Sequence, residues 1–164
     1  MEGGRDDLAA AYTIRIEDPG QPEVRALLER HLAFCHAITP LEHAFALDLD
    51  GLRDPSITVF ALRRDGELLG VGALKELGPE HGEIKSMHTA AEARGLGVGR
   101  ALVEHLVATA ARRGYARVSL ETGTMDGFAP ARALYANAGF VPCGPFGDYA
   151  ESADNTFMTR AFKP

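Results

Sequence analysis

A short glycine-rich segment between a predicted strand and a predicted long helix constrains this chain more than any other feature. The segment is Arg94-Gly-Leu-Gly-Val-Gly-Arg100, and the apolar stripe that follows predicts a helix as far as Arg113. Glycines let the backbone turn so that its N–H groups converge, and the helix adds partial positive charge at its N-terminus. The flanking Arg94 and Arg100 can add charge-assisted hydrogen bonds. The segment therefore predicts a cradle for a pyrophosphate.

The order of the remaining elements predicts one domain built on a mixed sheet. Alternating apolar residues, helical spacing and turn signals predict the elements in the first half of the chain: strand Tyr12–Glu17, a helix from Pro22 that Thr39-Pro40 ends, a shorter helix Leu41–Asp50, and a hairpin of Ile57–Arg63 and Leu68–Glu76 around Asp65-Gly66. The same signals predict the later elements: strand Glu83–His88, the long helix, strand Arg117–Glu121, a helix through Ala131–Ala138, and strands Phe140–Cys143 and Asn155–Phe162. Residues 1–11 are predicted to be a flexible leader and residues 12–164 a single domain.

Charge and cysteine content exclude several classes of protein. The 164 residues carry 17 Lys and Arg against 23 Asp and Glu, a formal charge of −6 that disfavours binding to nucleic acid. No apolar run reaches the roughly 18 residues of a membrane span, and the N-terminus lacks the pattern of a secretory signal. Cys35 and Cys143 have neither CxxC nor zinc-ligand spacing. We expect a reduced, cytoplasmic protein without nucleic-acid or membrane partners.

Several interpretations of the glycine segment remain open. A Walker A loop needs Gly-Lys-Ser/Thr, which Gly99-Arg100-Ala101 does not supply. A dinucleotide fingerprint fails where Arg100 replaces the third glycine, although Glu121 mimics the acid that binds a ribose. An acyl-CoA pyrophosphate, bound through R-x-x-G-x-G, is the third alternative. A helix-entry turn with spare glycines is the alternative that implies no ligand.

Two motifs lie in order on either side of the predicted strand Arg117–Glu121. The first is Thr89-Ala-Ala-Glu-Ala-Arg-Gly-Leu-Gly-Val-Gly99, and the second runs from Ala131 to Phe140. They resemble V-x-P-x-x-R-G-x-G-x-G and A-x-x-L-Y-x-x-x-G-F, the common motifs of the GNAT superfamily of acyl-CoA N-acyltransferases. The resemblance implies an α/β (α+β) fold: a mixed, mostly antiparallel central sheet of about six to seven strands, helices on both faces, and a splay between the fourth and fifth strands.

The resemblance also implies where acetyl-CoA binds as co-substrate. It would lie where strand Glu83–Thr89 splays from strand Arg117–Glu121. The implied cofactor-binding residues act mainly through their backbones: Met87, His88 and Thr89 at the pantetheine and thioester, and Arg94, Gly95, Leu96, Gly97, Val98, Gly99 and Arg100 at the pyrophosphate. A backbone N–H aimed at the thioester oxygen stabilises the oxyanion that forms during transfer. The stretch Leu120-Glu-Thr-Gly123 also resembles one bacterial branch of the family, and Phe128 departs from that branch, which usually has Asn or Gln at this position to bind the pantetheine arm.

The implied catalytic residues are Tyr135 and Glu83. Tyr135 matches the family tyrosine that protonates the thiolate leaving group, and Glu83 matches a strand glutamate that some members use as the base. His88, Glu121 or a chain of waters are alternatives for the base, since an alkylammonium must lose a proton before it attacks. We expect no metal, because His31 and His36 are five residues apart and do not share a helix face.

The resulting prediction is an N-acetyltransferase. It would move an acetyl group from acetyl-CoA to a primary amine of a small molecule or peptide, by direct attack within a ternary complex. A non-catalytic acyl-CoA sensor on the same fold and a dinucleotide-dependent oxidoreductase are the alternatives. The acceptor is expected to contact Cys35–Asp54 and the loop Cys143–Asp154, which carries Asp148, Tyr149 and Glu151. The sequence leaves open whether the chain forms a homodimer.

Overall fold

The computed structural model describes residues 12–40 and 48–162, which form seven strands and three α-helices. The strands are β1 Tyr12–Ile16, β2 Ile57–Arg64, β3 Glu67–Gly78, β4 His81–Thr89, β5 Arg117–Gly123, β6 Val141–Cys143 and β7 Asn155–Ala161, and the helices are α1 Pro22–Ile38, α2 Val98–Arg112 and α3 Ala129–Asn137. The leader and residues 41–47 of the predicted short helix lie outside the described residues. Residues 48–50 do not continue that helix: they lead into a 3-10 turn, Gly51–Arg53.

The sheet has the mixed topology that the sequence predicted. Its order is β1-β2-β3-β4-β5-β7-β6, and among the described strands the parallel pair is β4 with β5. The hairpin of β2 and β3 turns at Asp65 and Gly66, both of which have positive φ. A mostly antiparallel sheet differs from the doubly wound parallel sheet that the dinucleotide alternative requires.

The parallel pair β4–β5 is short, and the two strands part beyond it. His81–Ile84 of β4 pairs with Arg117–Leu120 of β5, but β4 continues to Thr89 and β5 to Gly123. This confirms the predicted splay between the fourth and fifth strands. It leaves backbone groups of both strands facing a gap inside the sheet.

A β-bulge in β4 determines which side chains face α1. Ala73 of β3 pairs with Lys85 and Val71 with His88, so that one residue of β3 opposes two of β4. Ser86, at this bulge, has a positive φ of 56°. Because Val71 and Ala73 share a sheet face, the bulge places Lys85 and His88 on one face although they are three residues apart.

Helices cover both faces of the sheet, as expected. On one face, Val24, Leu27 and Leu28 of α1 belong to a buried cluster with Val59, Ala61, Val71 and Ala73 of the hairpin. On the other face, Val103, Leu106 and Val107 of α2 and Tyr135 of α3 pack in a second cluster with Phe60, Leu74, Ile84 and Leu120. The buried residues of α1 share one face because of their helical spacing. Two features fix the start of the helix: Pro22 lies in its first turn, and the Gln21 side chain accepts a hydrogen bond from the Val24 amide.

Candidate active site

A cavity of about 560 Å³ opens where β4 and β5 part. Residues of α1, β4, β5, α3 and the loop before α2 line it. The predicted site residues that line it are Glu83, Met87, His88, Thr89, Arg94, Gly95, Gly97, Val98, Gly99, Arg100 and Tyr135. Leu96 is the exception: it is partly buried and packs against the hydrophobic cluster that includes residues of both α1 and α2. The cavity therefore combines the glycine segment with both proposed catalytic residues.

The glycines of the segment Arg94–Arg100, which spans the loop before α2 and the start of that helix, have different structural roles. Gly95 and Gly97 have φ of 85° and 90°, a left-handed conformation that favours glycine. A Cβ atom on either would meet nothing within 4 Å, so the backbone conformation, not crowding, requires glycine. At Gly99 a Cβ would lie 3.1 Å from Leu134 Cδ2, which indicates close packing of α2 against α3.

The backbone of this loop presents hydrogen-bond donors to the cavity. The first bonded amide of α2 is that of Ala101, which donates to the Gly97 carbonyl over 3.0 Å. Within residues 12–40 and 48–162, no protein acceptor is found for the amides of Gly95, Gly97 and Gly99. The Arg100 guanidinium forms a solvent-exposed ion pair with Glu104 over 3.1 Å. The loop can bind an anion through N–H groups and the positive end of the helix.

Tyr135 stands on the α3 wall of the cavity and is buried. Its ring packs edge-on against Phe140, with centroids 6.0 Å apart. Burial raises the pKa of Tyr135, and the nearby Cys35 and Glu121 raise it further. The phenol therefore keeps its proton at neutral pH, which is the state that a general acid needs.

Glu83 belongs to a buried cluster with Lys85 and Tyr149. Its Oε2 accepts a hydrogen bond of 2.6 Å from the Tyr149 hydroxyl and an ion-pair contact of 3.1 Å from Lys85 Nζ. Lys85 Nζ also donates to the Tyr149 oxygen over 2.8 Å. Burial raises the pKa of Tyr149, and the Glu83 charge adds to the effect. The cluster places the Glu83 carboxylate in direct contact with the Lys85 ammonium, in an environment with little water.

Tyr149 reaches this cluster because aromatic contacts anchor its loop. The Phe146 ring packs edge-on against Tyr149 at 5.2 Å, Phe157 at 5.8 Å and His81 at 5.6 Å between centroids. The sequence marked Tyr149 as a candidate acceptor contact but did not pair it with Glu83, which is 66 residues away. The sequence signal that this loop folds inward was the presence of two aromatic residues, Phe146 and Tyr149, in an otherwise polar segment.

Glu121 lies on β5, one residue beyond the last β4–β5 pair. It accepts a hydrogen bond from the Asn155 amide and lines the cavity. Burial raises the pKa of Glu121, while the Asn155 bond and Lys85 lower it and Glu83 raises it. This side chain is a second acidic group facing the gap.

The structure also joins two histidines and a cysteine that the sequence did not connect. His31 Nδ1 of α1 lies 3.2 Å from His88 Nδ1 of β4, and His31 Nε2 lies 3.6 Å from Cys35 Sγ. Burial lowers the pKa of both His31 and His88 to about 4, so both are neutral at pH 7. His36 is exposed. In the sequence, the only signal for this group was the spacing of His31 and Cys35, which are four residues apart on one helix.

Phe128, which replaces the usual amide residue of the family, contributes to an aromatic wall of the cavity. Its ring lies edge-on to Phe34 of α1, with centroids 5.4 Å apart, and Phe34 lies 6.2 Å from the His88 ring. Gly123 makes room for Phe128, because a Cβ there would overlap the ring. A ligand meets an apolar surface here instead of a hydrogen-bonding amide.

Metal ligands and membrane spans were sought in the described part of the chain. Over residues 12–40 and 48–162, no group of three or more His, Cys, Asp or Glu side chains is arranged to hold a metal ion. None of the three described α-helices is both long and apolar enough to cross a bilayer.

Comparison with known families and sequences gives a consistent result. Residues 16–140 match the acetyltransferase (GNAT) family. The chain is 45% identical over 147 residues to the uncharacterized N-acetyltransferase YsnE of Bacillus subtilis, a match that covers 90% of this chain and 97% of that one.

Solved structures share the fold over almost the whole chain. A Klebsiella pneumoniae protein provisionally assigned as an acyl-CoA N-acyltransferase superposes with a TM-score of 0.78 at 28% identity, covering 93% of this chain and 98% of that one. A GNAT family acetyltransferase of Elizabethkingia anophelis with acetyl-CoA bound superposes with a TM-score of 0.68 at 18% identity, covering 93% and 99%. The second likeness is one of fold alone.

Proposed function

This chain belongs to the acetyltransferase (GNAT) family, and from that membership we propose that it transfers an acetyl group from acetyl-CoA to a primary amine of a small molecule or peptide. The observation that carries the proposal is a single cavity, at the parting of β4 and β5, that contains both the glycine loop and Tyr135. One end of the cavity offers backbone donors for a diphosphate. The other end offers side chains that can move protons.

The proposed binding mode for acetyl-CoA rests on unpaired backbone groups. The amides of Gly95, Gly97 and Gly99 would hold the diphosphate, with the positive end of α2 behind them. The extended chain of pantetheine, which contains two amides, would continue along Met87, His88 and Thr89, where β4 has left β5. The acetyl-CoA-bound fold relative supports a coenzyme A ligand for a cavity of this kind.

The proposed reaction is direct attack of the amine on the thioester carbonyl carbon. The new C–N bond forms, the carbonyl oxygen becomes an oxyanion, and the C–S bond then breaks to release the coenzyme A thiolate. Tyr135 would give its phenolic proton to that sulfur, and Glu83 would take the proton that the amine loses. Because both reactants would be held in one cavity, the reaction between them becomes effectively unimolecular, and its rate depends on how well the amine and the thioester are aligned.

The cluster around Glu83 favours a cationic acceptor. The charged side chains that line the cavity are the acidic Glu83 and Glu121, the basic Lys85 on β4, and the basic Arg94 and Arg100 of the glycine segment. Lys85 already contacts Glu83 over 3.1 Å. Glu121 accepts a hydrogen bond from the Asn155 amide but has no ion pair among the described residues, so its carboxylate would attract an ammonium group. The Phe34 and Phe128 rings would then contact the apolar part of the acceptor.

Release of free coenzyme A thiol tests the proposal. Purified protein with acetyl-CoA and a panel of primary amines should release thiol only when an amine is present, and mass spectrometry should find the matching N-acetyl product. A thermal-shift series with acetyl-CoA, coenzyme A and NAD provides the binding control, since a true co-substrate at a hundredfold excess over Kd adds about 2.7 kcal/mol of stability. Stabilisation by acetyl-CoA without thiol release from any amine would support the non-catalytic sensor instead.

A further inference from the structure

We propose that His88 presents an imidazole N–H to the cavity as a hydrogen-bond donor for the thioester carbonyl oxygen, and that His31 and Cys35 are positioning residues that fix this tautomer. The inference rests on the proposed function, because it concerns the same cavity and the same thioester. It adds a side-chain donor to the backbone donors expected along β4.

The contact between the two histidines requires them to have opposite roles in one hydrogen bond. With 3.2 Å between His31 Nδ1 and His88 Nδ1, one nitrogen donates and the other accepts. The rings meet edge-on, with centroids 5.1 Å apart, and Phe34 packs against His88 from the α1 side. Both Nδ1 atoms are therefore engaged with each other, and Nε2 of His88 is the nitrogen left for the cavity.

Cys35 sets the direction of the chain of hydrogen bonds. Burial raises the pKa of Cys35 to about 11, so that it is a neutral thiol with a proton to donate. An imidazole lone pair accepts better than a thiol sulfur, so the 3.6 Å contact runs from Sγ–H to His31 Nε2. A neutral His31 then has its hydrogen on Nδ1 and donates it to His88 Nδ1. It follows that His88 carries its own hydrogen on Nε2.

The surroundings keep both rings neutral, which this arrangement needs. Burial disfavours the charged form of each histidine, and Lys85 near His31 and Arg94 and Arg30 near His88 disfavour it further. A neutral imidazole N–H, held by packing and a hydrogen bond, can stabilise an oxyanion without giving up its proton. The oxyanion charge develops next to a donor that is already oriented, and no proton moves between these three residues.

The tautomer can be measured directly in the free protein. Long-range 1H–15N NMR spectra of histidine-labelled protein distinguish a protonated nitrogen from an unprotonated one, and the signals that disappear in His88→Phe belong to His88. We expect Nε2–H in the wild type and in Cys35→Ser, which keeps a donor. We expect a mixture of tautomers in His31→Phe, which removes the Nδ1 donor. An Nδ1–H tautomer of His88 in the wild type would overturn the inference.

Kinetics test whether the donor matters for transfer. His88→Phe keeps the aromatic packing but removes the N–H, and kcat should fall about a hundredfold. His31→Phe should lower kcat about tenfold through loss of the tautomer, with the Kd for acetyl-CoA unchanged. His105→Phe, on α2 and outside the cavity, replaces a ring that packs edge-on against Phe60; it is the matched control and should leave kcat unchanged.

The two levels of proposal can fail separately. A wild-type protein that releases no thiol with any amine overturns the proposed function and this inference with it. An active wild type whose kcat is insensitive to His88→Phe overturns the inference and leaves the proposed function intact. A fall of kcat in His31→Phe that is accompanied by an unchanged His88 tautomer also overturns the positioning role.

Discussion

The cavity has two halves that are built in different ways. The loop half, Arg94–Arg100, presents backbone amides, and its glycines allow the conformation that aims them. The side-chain half is lined by His31 of α1 and by Glu83, Lys85 and His88 of β4, and Tyr149 from the loop before β7 bonds to Glu83 and Lys85 behind this lining. The loop half is contiguous in the chain, whereas the side-chain half is assembled from three separate segments.

Because the two halves are built differently, we expect them to recognise different parts of the reaction's two substrates. Backbone amides at a helix start bind any group with a suitably placed diphosphate, so that the loop half fits a common co-substrate. The buried ion pair can fit a particular acceptor, whereas the histidine pair is proposed to act on the thioester during transfer. We therefore expect variants in the loop half to change affinity for acetyl-CoA and variants in the side-chain half to change turnover, stability or acceptor choice.

The largest effect is expected at Tyr135, on the α3 wall of the cavity. Tyr135→Phe removes the proposed proton donor to the leaving thiolate, and kcat should fall by about 10²- to 10⁴-fold. The Kd for acetyl-CoA, measured by calorimetry, should stay within about twofold because the ring and its packing against Phe140 remain. Tyr115→Phe is the control: its hydroxyl donates to Glu76 over 3.2 Å, and Tyr115 is not among the residues that line the cavity. Unchanged turnover in Tyr135→Phe would exclude the general-acid role.

The next largest effect is a loss of stability when the buried ion pair is broken. Glu83→Gln leaves the Lys85 ammonium buried without its partner carboxylate, which should cost about 3 kcal/mol in the free energy of unfolding by urea. Glu104→Gln, in the exposed pair with Arg100, should cost about 0.5 kcal/mol or less. Equal losses in the two variants would mean that burial of the Glu83 pair has no energetic consequence.

The side-chain half should also make the fold sensitive to acid. Burial lowers the pKa of His31 from 6.5 in the unfolded chain to about 4 in the folded protein. The stability that depends on this neutral ring is therefore fully present above pH 6.5 and is lost as the pH falls towards 4. Each proton that binds to the unfolded chain but not to the folded protein lowers the free energy of unfolding by up to about 1.4 kcal/mol per pH unit within that window. His31→Phe should flatten the dependence of the unfolding free energy on pH between 6.5 and 4. His36→Phe, which alters an exposed ring, should not.

The smallest effect is expected in the loop half. Gly97→Ala places a Cβ at φ 90°, which should lower the unfolding free energy by about 1 kcal/mol and weaken acetyl-CoA binding about tenfold as the amides shift. Gly66→Ala, at φ 82° in the β2–β3 turn, carries similar strain outside the cavity and should change stability alone. If both variants bind acetyl-CoA as tightly as the wild type, the loop is not the diphosphate site.

The loop half and most of the fold were predictable because their signals are local. The Gly95–Gly99 pattern depends on backbone conformation, and the Asp65-Gly66 turn and the α2 stripe depend on spacing of a few residues. The order of the strands and the splay came from the family resemblance, not from periodicity. Leu96 was included in the predicted loop for its backbone N–H, and its partly buried side chain packs against the cluster that includes residues of α1 and α2.

The side-chain half was only partly predictable because its contacts span long separations. Glu83 and Tyr135 were identified one residue at a time, but the Tyr149–Glu83 bond joins residues 66 apart and the His31–His88 contact joins residues 57 apart. The bulge at Ser86, which brings Lys85 and His88 to one face, leaves no mark in the sequence because serine is not typical of a positive φ.

The short ladder between β4 and β5 gives the sheet two internal edges. An open strand edge on the outside of a protein can pair with other chains, but these edges are recessed between α1, α3 and the loop before α2. A narrow, extended ligand with amides of its own can occupy that space as a missing strand. Such a ligand would join the half-sheet β1–β4 to the half-sheet β5–β7, so that amide hydrogen exchange should slow on both sides of the seam at once.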